Sequence, residues 1–103
     1  RNWYAGYLVN FKFQEQTAPK PHHNFAYDLS LGQTGDEVKA LQDCLRWAGF
    51  FPANTQSTGL YGPITAKAVG DYQIARGVLA STLSPGYGRC GPMTRAQLNA
   101  EFI

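Results

Sequence analysis

The chain has 103 residues and a mass of 11.3 kDa, enough for one ordinary domain or a small domain with an appendage. With 44% hydrophobic, 14% aromatic and only 16% charged residues, it has the apolar content of a folded chain rather than a disordered one. Its formal net charge of +2 is small and scattered, which argues against a nucleic-acid footprint, and no run of about 18 apolar residues is present to span a membrane. The first residue is Arg1, with no charged-then-apolar leader behind it. The expectation is an excised or processed piece of a longer protein.

Trp3, Ala5, Tyr7, Val9, Phe11 and Phe13 share one parity of an alternating stretch. Period-2 spacing of this kind predicts a β-strand over residues 1–14 with one buried face. A lone strand can neither pair its backbone nor hide that face, and no second strand pattern follows. Either the strand packs on the downstream domain, or, as we favour, it ends a larger upstream domain, catalytic in the reading developed below. Residues 15–28 lack periodicity and contain Pro19 and Pro21, which predicts an extended linker. His22 and His23 lie here side by side. Neighbours on an extended chain point opposite ways, so they make a poor metal pair, and two solvated histidines is the simpler reading.

Residues 29–103 carry helical punctuation. Thr34 followed by Glu37 is a capping-box pattern, with Asp36 and Glu37 suited to a first helical turn. Val38, Leu41, Cys44, Leu45 and Ala48 repeat at helical spacing, and Gly49 ends the run with Phe50 placed to fold back. A second helix is expected from Pro63 to about Gly77, with Ile64, Ala68, Val69 and Tyr72 inward. A third starts at Pro92, with Met93, Leu98 and Phe102 as its apolar set. The fold class is therefore all-α, a small three-helix bundle behind an N-terminal strand and linker.

The chain also repeats itself. Tyr61-Gly62-Pro63-Ile64-Thr65 is echoed by Cys90-Gly91-Pro92-Met93-Thr94, and each copy has an apolar residue four positions after the Thr. Gly permits a tight entry, Pro presets the first turn, and Thr at the third helical position can bond back to the cap.

Gly32, Gly35, Val38, Leu41, Gln42 and Gly49, followed by Tyr61, Gly62, Thr65, Ala68, Val69, Tyr72 and Gln73, resemble the peptidoglycan-binding domain-like repeat found at the ends of many cell-wall hydrolases. The resemblance covers the chain from Leu29 onward. It departs from the family pattern in the long segment from Val78 to Arg89 and in Cys90, where the first copy has an aromatic. It implies a three-helix fold that binds bacterial peptidoglycan without catalysis, through glycan strand or stem peptide, in an extracytoplasmic, cell-wall setting. It further implies a secreted bacterial hydrolase or phage endolysin as the parent, an adjoining catalytic domain as partner, and a monomer with no cofactor. The same fold occurs, by resemblance, in prodomains of some metalloproteases, so a docking or regulatory module without glycan binding is the competing reading.

Candidate ligand-binding residues are Gln42, Tyr61, Thr65, Tyr87, Arg89 and Arg95. Tyr61 and Tyr87 fall in loops before helices two and three, where a ring with a hydroxyl suits a sugar. Arg89 and Arg95 can fork onto a stem-peptide carboxylate. Gln42 and Gln73 have two readings, a buried group serving loop backbone or a ligand contact, and the structural one is favoured. Cys44 and Cys90 are the only cysteines. A disulfide between them is slightly favoured over two buried thiols. Catalysis within the chain has little support. The histidines lie in the linker, the acids are few and superficial, and no zinc spacing or phosphate loop occurs.

Overall fold

The computed structural model describes residues 19–103; the strand expected over residues 1–14 lies outside them. Three helices form the body, α1 (Asp36–Trp47), α2 (Pro63–Ala75) and α3 (Pro92–Phe102). α2 and α3 start alike. Gly62 and Gly91 are extended N-caps, with Pro63 and Pro92 at the next position. The Gly62 carbonyl accepts from Ala66 N–H at 2.9 Å and the Gly91 carbonyl from Arg95 N–H at 2.8 Å, which closes the first turn of each helix. Neither helix has a side-chain cap.

α1 starts differently from the capping-box expectation. Its N-cap is Gly35, at φ 131°, with no side-chain cap bond. Thr34 pairs instead with Leu60 in a short antiparallel bridge, flanked by bonds from Gly35 N–H to Gly59 O at 3.0 Å and from Tyr61 N–H to Gln33 O at 2.9 Å. Only glycine enters that backbone region cheaply, so the strand-to-helix corner falls one residue late for Thr34 to cap. Glu37 is engaged elsewhere, 3.0 Å from His23 Nε2.

The helix ends follow the glycines. Gly49 has φ 93°, and its N–H and that of Phe50 bond to the Arg46 and Leu45 carbonyls at 3.1 and 2.9 Å. Gly77 ends α2 the same way, with Gly77 and Val78 donating to Ile74 and Gln73 at 3.1 and 2.8 Å. Both are Schellman closures, which satisfy carbonyls the helix leaves open.

The core joins Val38, Leu41, Cys44 and Leu45 of α1 to Ala68, Val69 and Tyr72 of α2 and Leu98 and Phe102 of α3. Ile64 and Met93 do not join it; they are 53% and 70% exposed. Thr65 and Thr94 face inward, and successive helical residues turn by 100°, so the residue before each Thr is turned out.

Residues 19–28, expected as linker, lie along the bundle. Phe25 is buried; its N–H donates to Asn99 Oδ1 at 2.7 Å and its carbonyl accepts from Asn99 Nδ2 at 3.1 Å. His23 N–H bonds to the Phe102 carbonyl at 2.9 Å, and Leu29 pairs with Cys90 in both directions at 2.9 and 3.0 Å. One well-buried phenylalanine turns a proline-rich stretch into a docked arm.

The expected disulfide is absent. Cys44 and Cys90 are both free and buried, and burial above all pushes each thiol up to about 12. They serve as small core hydrophobes.

Candidate functional site

The repeat has a geometric meaning that begins with two glutamines. Gln42 of α1 is 1% exposed. Its Nε2 donates to the Leu60 carbonyl and to Thr65 Oγ1, both at 2.9 Å, and its Oε1 accepts from Gly59 N–H at 2.9 Å. Gln73 of α2 repeats the arrangement one helix later. Its Nε2 donates to Gly86 O, Arg89 O and Thr94 Oγ1 at 3.0, 2.7 and 2.9 Å, and its Oε1 accepts from Gly88 N–H at 2.8 Å. In each copy a buried amide holds the loop ahead and the Thr of the next helix. A Cβ at Gly59 would sit 3.1 Å from Gly35 O, and one at Gly88 would sit 3.0 Å from Ala66 O; both glycines also have positive φ.

Three of the candidate ligand residues are therefore spent inside the domain. Gln42, Thr65 and Tyr61 are at most 2% exposed. The Tyr61 hydroxyl donates to the Gly88 carbonyl at 2.6 Å, and burial pushes its phenol well above the ordinary value near 10. The loops fold over these three side chains, so their polar groups satisfy backbone that would otherwise be orphaned.

Tyr87, Arg89 and Arg95 lie at or near the surface around the start of α3. Tyr87 is half-buried with its ring on Gly70 of α2, where an added Cβ would meet the ring at 2.2 Å. The two arginines converge, as the fork expected of them requires, on a carboxylate from the chain itself. Arg95 Nε is 2.8 Å from Asp28 Oδ1, and Arg89 Nη2 is 3.6 Å from Asp28 Oδ2. Two cations against one anion leave 2 − 1 = +1 there. Arg89 is the open member, with its side chain 58% exposed against 25% for Arg95. Beside Arg89 a cleft of 180 Å³ is lined by Val78, Leu79, Pro85 and Met93. Sequence reasoning missed Asp28, which fell in the presumed linker, and Met93, which was assigned to the core.

Elsewhere on the surface, several charged side chains are held in structural pairs. Arg76 Nη2 lies 2.8 Å from Glu101 Oε2, and the Tyr72 hydroxyl donates to Glu101 Oε1 at 2.7 Å. Arg76 chiefly, helped by Tyr72, holds the Glu101 carboxyl below its ordinary value. His22 and His23 have separate partners, the Ile103 carbonyl at 3.4 Å and Glu37 at 3.0 Å. Among the described residues, no three His, Cys, Asp or Glu side chains gather around a point.

The family profile described as "Putative peptidoglycan binding domain" matches residues 34–98, which is more than half of the chain. The chain belongs to this family. The matched span runs from the Thr34–Leu60 bridge into α3 and so contains both glutamine clamps. Among solved structures, the crystal structure of the SleB N-terminal domain is similar, with a TM-score of 0.61 at 24% identity over 78% of this chain and 96% of that one. That likeness establishes a shared fold. No curated protein matches the chain.

Proposed function

We propose that this domain binds bacterial peptidoglycan and thereby tethers an attached cell-wall hydrolase to its substrate, outside the cytoplasmic membrane. The supporting observation is membership of the peptidoglycan-binding family across residues 34–98. The domain works by concentration. A module with only micromolar to millimolar affinity, about 4–8 kcal/mol, keeps a linked enzyme at a polymer that offers sites at every repeat. On this reading Arg89, with Arg95 and Tyr87 behind it, receives the carboxylate of a stem peptide. The guanidinium gives a bidentate match, and the apolar cleft beside it accepts a small side chain.

Retention of the purified chain on insoluble sacculi is the test. The wild type is expected to co-sediment and to be released as salt rises, because an exposed ion pair is screened. Arg89→Ala should weaken retention about fivefold, roughly 1 kcal/mol for one exposed charge-assisted contact. A folded wild-type chain that stays in the supernatant refutes the function. Unchanged retention of Arg89→Ala refutes this edge alone.

A further inference from the structure

The arginine pair near the start of α3 already holds a carboxylate, and the docked arm supplies it. Asp28 lies 2.8 Å from Arg95 Nε and 3.6 Å from Arg89 Nη2. The first contact is a hydrogen bond; the second is too long to be one. A carboxylate matched to a guanidinium edge takes two short parallel bonds. Asp28 therefore supplies the charge that the pair needs and leaves most of its directional donors unused. Arg89, with a side chain 58% exposed, keeps its donors open to water.

The backbone on either side of Asp28 is pinned, while its side chain is not. Before it, Phe25 is buried and bonded to the Asn99 amide. After it, Leu29 is buried and pairs with Cys90 in both directions. The Asp28 side chain is 37% exposed, so a rotation about its own side-chain bonds carries the carboxylate to water without lifting the arm. An anion tethered in this way acts at high effective concentration, because its return costs no translational freedom. Asp28 is not among the residues that line the apolar cleft beside Arg89, which is formed by Val78, Leu79, Pro85 and Met93.

We infer that Asp28 is a built-in competitor: it occupies the Arg89–Arg95 site at rest, and a ligand carboxylate binds by exchange with it. The inference rests on the peptidoglycan reading above and concerns the regulation of that same site. Exchange replaces one ion pair by another, so charge alone yields little net affinity. A small free anion has no advantage over the tethered one. A ligand that also fills the cleft makes an apolar contact that Asp28 does not make. The residue thus selects a carboxylate with an apolar group beside it. It also keeps two neighbouring cations paired when no ligand is bound.

The test is sacculus retention of the whole chain carrying Asp28→Asn, which keeps the shape of the side chain and removes its charge. Asp28→Ala is a second version, and an amide spectrum matching the wild type over the three helices shows that each is folded. Asp36→Asn, at an exposed acid in the first turn of α1, changes the net charge equally and is the control. Asp28→Asn is expected to be retained about fivefold more strongly than the wild type, the size of one exposed ion pair that no longer has to be broken. Its retention should also fall more steeply with salt, because binding then forms a net new pair. Asp36→Asn is expected to match the wild type, and adding Arg89→Ala to Asp28→Asn should remove the gain. Equal or weaker retention of Asp28→Asn beside a retained wild type overturns the competitor and leaves the function standing. An equal gain in Asp36→Asn also overturns it, as a general effect of charge. Failure of both Asp28 variants to fold makes Asp28 a structural brace and overturns it too. Absence of retention in the wild type and in both Asp28 variants overturns the function and the competitor together.

Discussion

Replacing Gln73 by Met tests whether the buried amides hold this domain together. Met keeps nearly the same length and helix propensity, so the change removes hydrogen bonds rather than volume. What is lost is the amide's two N–H donors, shared among Gly86 O, Arg89 O and Thr94 Oγ1, and its acceptance from Gly88 N–H. The Gly88 N–H and the Thr94 hydroxyl are in the buried part of the network, and a stranded buried group costs about 1–3 kcal/mol. The two carbonyls are partly buried and can turn to water at smaller cost. The sum is about 3 kcal/mol. For a domain of this size, at about 4–8 °C per kcal/mol, that lowers Tm by about 12–24 °C. Urea unfolding followed by circular dichroism measures it, with the exposed Gln56→Met as the control expected to change stability by less than about 0.5 kcal/mol. Gln42→Met should cost somewhat less, about 2–3 kcal/mol for three bonds. If Gln73→Met and the control differ by less than about 1 kcal/mol, the amide clamp is not what fixes the loops, and the structural reading of the repeat is wrong.

Two further predictions concern titratable groups. The Glu101 carboxyl is held below its ordinary value near 4.5, by Arg76 first and Tyr72 second. A depressed carboxylate contributes stability above its unfolded-state pKa and loses it as pH falls through the folded one. Glu101→Gln should therefore cost about 1–2 kcal/mol at pH 7, the worth of a charge-assisted contact, and the gap between variant and wild type should narrow as pH falls below the ordinary carboxyl value and through the lowered folded-state one. A constant gap from pH 7 to pH 2 in thermal unfolding would contradict this origin. Cys44 and Cys90 are free, buried and pushed up to about 12, so native protein at pH 8 should react with a thiol reagent only as fast as it opens. Both should react at once in denaturant. An intact mass two protons light and restored by reductant would show a disulfide instead.

What was legible in the sequence was whatever the backbone dictates locally. The two Gly-Pro starts, the glycine stops at Gly49 and Gly77, and the stripe of Val38, Leu41 and Leu45 each follow from φ preferences or from a 3.6-residue period. They need no partner to be read. The structural role favoured for Gln42 and Gln73 was also within reach, because loops that close helix ends need donors and acceptors.

Long-range packing decided the rest. Local pattern placed Ile64 and Met93 inside, but each glutamine draws the next residue, Thr65 or Thr94, inward and so turns them out. Pro19 and Pro21 spell a linker locally, yet Phe25 finds a buried site that Asn99 completes 74 positions later. Tyr61 was a candidate sugar platform until the loop before α3 brought the Gly88 carbonyl onto its hydroxyl. Arg89 and Arg95 were expected to receive a carboxylate, and only the docked arm shows Asp28 already there. Helix signals lie within about one turn of the residues they govern, so the sequence alone settled the three helices. Burial and ion pairing depend on what the folded chain sets alongside, so the tertiary structure settled which side chains remain free to meet a ligand.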